Sequence, residues 1–205
     1  MNEEFKFIID KVSSLYLQYG IRSVTMDDVA KELGMSKKTL YNYVTNKDDL
    51  VNHFVDYLLN ERLCNVRKIQ QENNNAIEEL FKVNEFVIEM LKNYNPSTEY
   101  DLKKYYPQYY TKIREHRRTN MYQAVLENIR KGKKEGLFRS ELNENIIAKV
   151  HVSRIENSFA NEMFKIEELT SREFVLEMMG YHIRGIASKK GIEFFESKMK
   201  EFKIK

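Results

Sequence analysis

The stretch Thr25–Lys47, TMDDVAKELGMSKKTLYNYVTNK, decides how this chain is read. Thr25 stands three residues before Asp28, a Thr-x-x-Asp form of the capping box, and Asp27 and Asp28 fall where a helix dipole favours acid. Met26, Val29, Ala30 and Leu33 recur at helical spacing and make one apolar face. Gly34 follows Leu33 directly, as a glycine past a helix end does, and Ser36 can cap a second helix. Stepping about 100° per residue along that second helix puts Leu40 and Val44 on one side, with Tyr43 beside them. Lys38 and Asn42 then face the other way, flanked by Tyr41 and Thr45, with Lys37 and Thr39 at the edges. Asn46 can cap a third helix that opens with Lys47, Asp48 and Asp49.

Two short helices joined by a tight turn, the second amphipathic and polar outside, can be an ordinary hairpin with a solvated face. They can also be a helix-turn-helix whose second helix reads the major groove of double-stranded DNA. The outer side chains suit the second reading. Lysine donates to guanine O6 and N7, asparagine pairs bidentately with adenine, and tyrosine and threonine hydroxyls suit phosphate. Thr25, Lys37, Lys38, Thr39, Tyr41, Asn42 and Lys47 are therefore the candidate DNA-binding residues, Lys47 as a phosphate partner at a helix N-terminus.

The string resembles the DNA-binding domain of the TetR family of bacterial transcription regulators. The resembling positions are Tyr19-Gly20, Thr25, Val29-Ala30, Gly34-Met35-Ser36, Thr39-Leu40-Tyr41 and Lys47-Asp48-Asp49-Leu50, so the likeness covers roughly the first 50 residues. The family usually has an aromatic where Val44 stands and often histidine where Tyr43 stands; Val44 keeps the apolar anchor. The resemblance implies a repressor released from a palindromic operator by a small-molecule effector, and a homodimer. A helical interaction or ligand-binding module that has lost DNA binding is the alternative.

Composition agrees with an all-α chain: 205 residues, two prolines, seven glycines and 32% charged residues. The expected division is residues 1–48 as a three-helix DNA-binding head and 49–205 as a helical ligand-binding and dimerisation body. A stripe of Phe5, Ile8, Ile9, Val12, Leu15, Tyr16 and Tyr19 predicts a first helix over about 2–19. Further helices are expected over about 47–70, 76–92, 98–105, 108–131, 144–164, 171–188 (capped by Thr170) and 192–202. No apolar run of membrane-spanning length occurs and the N-terminus is acidic, so a cytoplasmic protein without membrane contact is expected. Cys64 is the only cysteine, and its plainest reading is a buried thiol. No catalytic arrangement, metal spacing or phosphate loop stands out, so neither enzyme activity nor a cofactor nor a metal is expected.

The net charge of +3 is unevenly spread. Residues 1–50 carry seven Lys/Arg against eight Asp/Glu, whereas residues 101–140 carry eleven against four. With so modest a set of cations, one head should bind weakly, which argues for a dimer reading two half-sites.

Five of the thirteen tyrosines lie within residues 100–110. Tyr105, Tyr106, Tyr109 and Tyr110, with Phe81 and His116, are either packed core or the lining of a small-molecule pocket. In the last third, Ile155, Phe159, Phe174, Val175, Met178, His182 and Ile186 make broad apolar faces, covered either within one chain or by a second copy. Paired antiparallel helices of this kind resemble the family's four-helix dimer interface.

Overall fold

The computed structural model describes residues 3–72, 74–92, 95–160 and 163–204, without the side chains of 62–64, 92, 159, 160, 166 and 201–204. Cys64 and the Phe159 side chain thus lie outside the described residues. Among these residues the regular elements are helices: α1 (Glu3–Tyr19), α2 (Met26–Glu32), α3 (Lys37–Leu40), α4 (Lys47–Gln71), α5 (Ala76–Lys92), α6 (Pro96–Tyr105), α7 (Pro107–Lys134), α8 (Glu144–Ala160), α9 (Ile166–Leu169), α10 (Arg172–Ile186) and α11 (Lys189–Ile204). The all-α expectation holds. One isolated antiparallel bridge pairs Phe138 with Ala187.

Packing separates the chain into two compact units. The first is Met1–Cys64 with Asn93–Arg117, and the second is Asn65–Lys92 with Arg118–Lys205.

In the first unit the middle of the α1 stripe does what its spacing predicts, while Tyr19, expected in the core, is 56% exposed and Phe5 and Leu15 are half-buried. Ile8, Ile9, Val12 and Tyr16 are fully buried with Ile21, Val29, Leu40, Leu50, Val51 and Phe54. Each such side chain contributes roughly 1.5–3 kcal/mol by leaving water. Tyr16 and Phe54 meet edge to face, ring centres 5.2 Å apart. The unit also takes in α6 and the start of α7: Leu102 and Ile113 enter the same core, and Tyr106, Tyr109 and Tyr110 pack against it. The start of α6 is fastened by polar contacts. Thr98 Oγ1 donates to the Tyr16 carbonyl at 2.7 Å, and Asn95 Nδ2 donates to the Gln18 carbonyl at 2.9 Å. Asn95 also caps α6 with Pro96 in its first turn, so this helix begins two residues before the expected 98. A proline lacks an N–H that the first turn would leave unpaired in any case.

The second unit centres on α5, α10 and α11. Ile77, Phe81, Phe138, Leu176, Met179, Ile183, Ile186 and Phe195 share one core. Leu126, Ile129 and Ala148 form a smaller one. Buried Asn128 donates from Nδ2 to the Ala76 carbonyl (2.9 Å) and to Glu79 Oε1 (3.0 Å), and Lys131 Nζ reaches Glu79 Oε2 at 2.8 Å. The Glu79 carboxylate, taken out of water, is thereby paired twice.

α8 and α10 meet at two imidazoles, His151 and His182, with ring centres 3.9 Å apart. Arg154 Nη2 lies 3.1 Å from His151 Nδ1. A guanidinium can only donate, so that nitrogen must be the unprotonated one. Burial, helped by the Arg154 charge, pushes the His182 pKa down to about 4. The His151 pKa is pushed lower still by burial, His182 and Arg154.

Three expected boundaries shift here. α8 is described to Ala160, and Met163 and Phe164 are not helical before the short α9, where one helix to 164 is expected. α10 is capped by Ser171, not Thr170: Ser171 Oγ accepts from the Phe174 N–H at 3.1 Å, while Thr170 Oγ1 turns back to the Glu167 carbonyl. α11 starts at Lys189 rather than 192, and Ser188 Oγ accepts from the Gly191 N–H at 3.1 Å.

Candidate nucleic-acid interface

The head is built from local contacts. Thr25 Oγ1 accepts from the Asp28 N–H at 3.1 Å, and Asp28 Oδ2 accepts from the Thr25 N–H at 2.8 Å, completing the capping box. These bonds to Thr25, side chain first, hold the Asp28 carboxyl below its ordinary range. Gly34 ends α2 at φ +64, a conformation that costs a residue with a Cβ, and Met35 N–H returns to the Ala30 carbonyl at 3.0 Å. Ser36 then caps α3 by accepting from the Thr39 N–H at 3.0 Å. Leu40 and Val44 are buried, as is Val29 on α2, which anchors the inner side of α3 on the core. Tyr43 also turns inward. It stacks on Phe5 with ring centres 6.1 Å apart, and its phenol pKa is raised by a hydrogen bond to Glu4.

The outward side chains are exposed as the pattern predicted, but the helix is one turn long: α3 ends at Leu40, and Tyr41 and Asn42 stand in the turn that follows it. Lys37, Lys38, Thr39, Tyr41 and Asn42 are all exposed, Tyr41 at 43%. They are not equally available. Lys37 Nζ is 2.8 Å from Asp27 Oδ2, and that bond raises the lysine pKa. Thr39 Oγ1 shares a 2.8 Å hydrogen bond with Ser36 Oγ. Thr25 Oγ1 is committed to Asp28 at 2.6 Å. Lys38, Tyr41 and Asn42 have no hydrogen bond or ion pair from their side chains among the described residues, so a base edge would meet no internal competitor there. Lys47 is partly buried at the start of α4 and donates to the Arg22 carbonyl at 3.3 Å. Burial pulls its pKa down, although the charges of Asp101 and Asp28 act the other way.

The other candidate residues fall into separate places. Tyr106, Tyr109 and Tyr110 pack on the first unit's core, and Tyr109 donates to Asp48 Oδ2 at 2.7 Å. Burial and that bond push the Tyr109 phenol up to about 12. Tyr105 touches Arg22, and His116 is half-buried in the same unit. Phe81 belongs to the second unit's core, its ring centre 5.8 Å from that of Phe195. Of the apolar residues in the last third, Val175, His182 and Ile186 are buried within the chain; Ile155, Phe174 and Met178 are half-buried. Among the described residues, Ile146, Val150 and Tyr181, 57%, 58% and 72% exposed, are the large apolar side chains left in the open on α8 and α10. Asp101 and Tyr105 as partners of the head could not be read from the sequence, since they lie 79 and 83 residues from Arg22.

Comparison with known proteins agrees with this geometry. Residues 8–54 match the sequence family described as bacterial regulatory proteins, tetR family. An uncharacterized HTH-type transcriptional regulator, YvaF, of Bacillus subtilis (strain 168) is 35% identical over 104 residues. That alignment takes in 49% of this chain and spans only about half, 53%, of the curated relative. A transcriptional regulator from Cytophaga hutchinsonii ATCC 33406 superposes with TM-score 0.76 over 91% of this chain and all of that one, at 17% identity. SCO4454, a TetR-family transcriptional regulator from Streptomyces coelicolor, superposes with TM-score 0.67 over 88% of this chain and 94% of its own, at 16% identity. The two structures share the fold. Through residues 8–54, which hold the helix-turn-helix, the chain is similar in sequence to the tetR family of bacterial regulatory proteins.

Proposed function

We propose that the chain is a cytoplasmic, homodimeric transcription repressor that binds a palindromic operator in double-stranded DNA and is released by a small-molecule effector. The observation that carries this is the segment of α3 and the turn after it. Buried Leu40 and Val44 anchor it, and it presents Lys38, Tyr41 and Asn42 outward without internal partners among the described residues. Residues 1–48 hold the DNA contacts: Lys38 and Asn42 on base edges, with Thr25, Lys37, Thr39, Tyr41 and Lys47 toward phosphates. Lys37 must exchange Asp27 for a phosphate, which makes it the weaker contributor.

Residues 49–205 hold the effector and dimer functions. The exposed Ile146, Val150 and Tyr181 support pairing through α8 and α10, because apolar surface of this kind is covered in a dimer. An effector acts by favouring the arrangement of the two heads that does not fit DNA. The reading is of a regulator and not an enzyme.

The test is operator binding by fluorescence anisotropy, using a sequence selected from a random duplex pool. Lys38→Ala and Tyr41→Ala should each weaken binding by roughly 5- to 100-fold, the range of a lost base or phosphate contact, with thermal melting unchanged. Unchanged affinity in both variants refutes the assignment.

A further inference from the structure

Arg22 lies in the turn between α1 and α2, and its surroundings are set by α6. Its main-chain N–H donates to Asp101 Oδ2 at 2.7 Å. Its Nη1 donates to the Tyr105 hydroxyl, and its guanidinium carbon lies 4.5 Å from the centre of the Tyr105 ring. Lys104 continues the row. Its Nζ donates to the Tyr100 hydroxyl at 2.7 Å and stands 5.1 Å and 5.4 Å from the Tyr100 and Tyr105 ring centres. The two rings meet edge to face, and Tyr100 is 54% exposed. At the other end, Lys47 Nζ donates to the Arg22 carbonyl. The row therefore starts at the N-terminus of α4, beside the head's proposed phosphate contacts, and runs out along α6 on the same compact unit.

The two cations differ from their neighbours in what holds them. Lys37 is paired with Asp27 and Lys112 with Asp56. Among the described residues neither Arg22 nor Lys104 has a carboxylate within ion-pair distance of its side chain; aromatic rings and phenol hydroxyls hold both. Charge held this way stays available to an outside anion, and rotamer freedom is already lost before the anion arrives. Asp101 does not compete for either side chain through any contact described, since its carboxylate accepts from the Arg22 main chain. Two exposed cations in a row that continues from Lys47 suit an extended anion with evenly spaced charges, which a duplex backbone is.

We propose that Arg22, Lys104 and their tyrosines form an auxiliary phosphate track that grips the DNA backbone flanking the half-site read by α3. This rests on the head's DNA binding. The track adds affinity and salt sensitivity without reading sequence.

The experiment uses the full-length protein and the selected operator in two duplexes, one trimmed to the half-sites and one with about one helical turn added at each end. Binding is followed by anisotropy across a salt series. On the flanked duplex, Lys104→Gln should flatten the slope of log affinity against log salt by about 0.9 per subunit, and Lys104→Arg should restore it. On the trimmed duplex the slope should not change. An unchanged slope on the flanked duplex, while wild-type binding persists, overturns the track alone. An equal drop on both duplexes overturns its flanking placement. Absence of any salt-dependent affinity in the wild type overturns the track and the DNA-binding reading together. Because Lys104 is exposed, the variant's melting temperature serves as the folding control.

Discussion

Moving the protein from pH 7 to pH 5 should strip it of stability through two side chains, His151 and His182. Both are neutral in the fold, held so chiefly by burial, with Arg154 adding positive charge nearby. In the unfolded chain each returns to its ordinary pKa of 6.5. A folded-state pKa depressed in a base means that the unfolded state binds more protons through this interval. Stability is then complete above about pH 6.5 and falls as the pH drops below it, His182 ceasing to add to the slope near pH 4. At pH 5 each imidazole lies about 1.5 units below its unfolded pKa, a loss of about 2 kcal/mol apiece at 1.36 kcal/mol per unit. Together the pair removes up to about 4 kcal/mol, a large part of a typical 5–15 kcal/mol. The carboxyls held low by hydrogen bonds, Asp28, Glu72 and Glu144, start from ordinary values of 3.8 and 4.5 and begin to cost stability only below that range. The assay is urea unfolding at pH 7, 6 and 5 at one fixed protein concentration. His151→Gln with His182→Gln should flatten the slope. Equal wild-type stability at pH 7 and pH 5 refutes the reasoning. So does a native His151 or His182 imidazole that titrates near 6.5 by NMR.

Two further perturbations test the packing. Thr25→Ala removes the cap of α2 and should lower stability by about 1 kcal/mol in urea unfolding, with Thr25→Ser recovering most of it. Gly132→Ala places a Cβ into the ring of Phe138, which is 2% exposed and cannot swing into water freely. The cost should be about 1–3 kcal/mol by the same measurement, and Phe138→Leu in the Gly132→Ala background should return part of it.

What could be read from the sequence was what neighbouring residues decide among themselves. The Thr25–Asp28 box, the Gly34 turn, the Ser36 cap and the α1 stripe from Ile8 to Tyr16 each close within a few residues, and each stands where the spacing put it; Tyr19, at the end of the stripe, is exposed. The tyrosines of 100–110 show the limit. Their apolar rings and polar tips suit a core or a pocket equally, and the choice depends on contacts such as Tyr109 with Asp48, 61 residues away. The same holds for Thr98 and Tyr16, separated by 82 residues. No local period encodes such pairs. The Ser171 cap was missed by one position for a local reason: Thr170 and Ser171 are both good caps, and the backbone register chose between them.

The first compact unit is assembled from two separate lengths of chain, and this bears on how such proteins can be recombined. A chimera that transplants only the span of the family match, residues 8–54, leaves behind Leu102 and Ile113, which fill its core, and Thr98 and Asp101, which fasten the end of α1 and the turn after it. The portable cassette is residues 1–64 together with 93–117. On the proposed reading, sequence preference is therefore better exchanged through the side chains of Lys37–Asn42 than by exchanging the N-terminal segment whole.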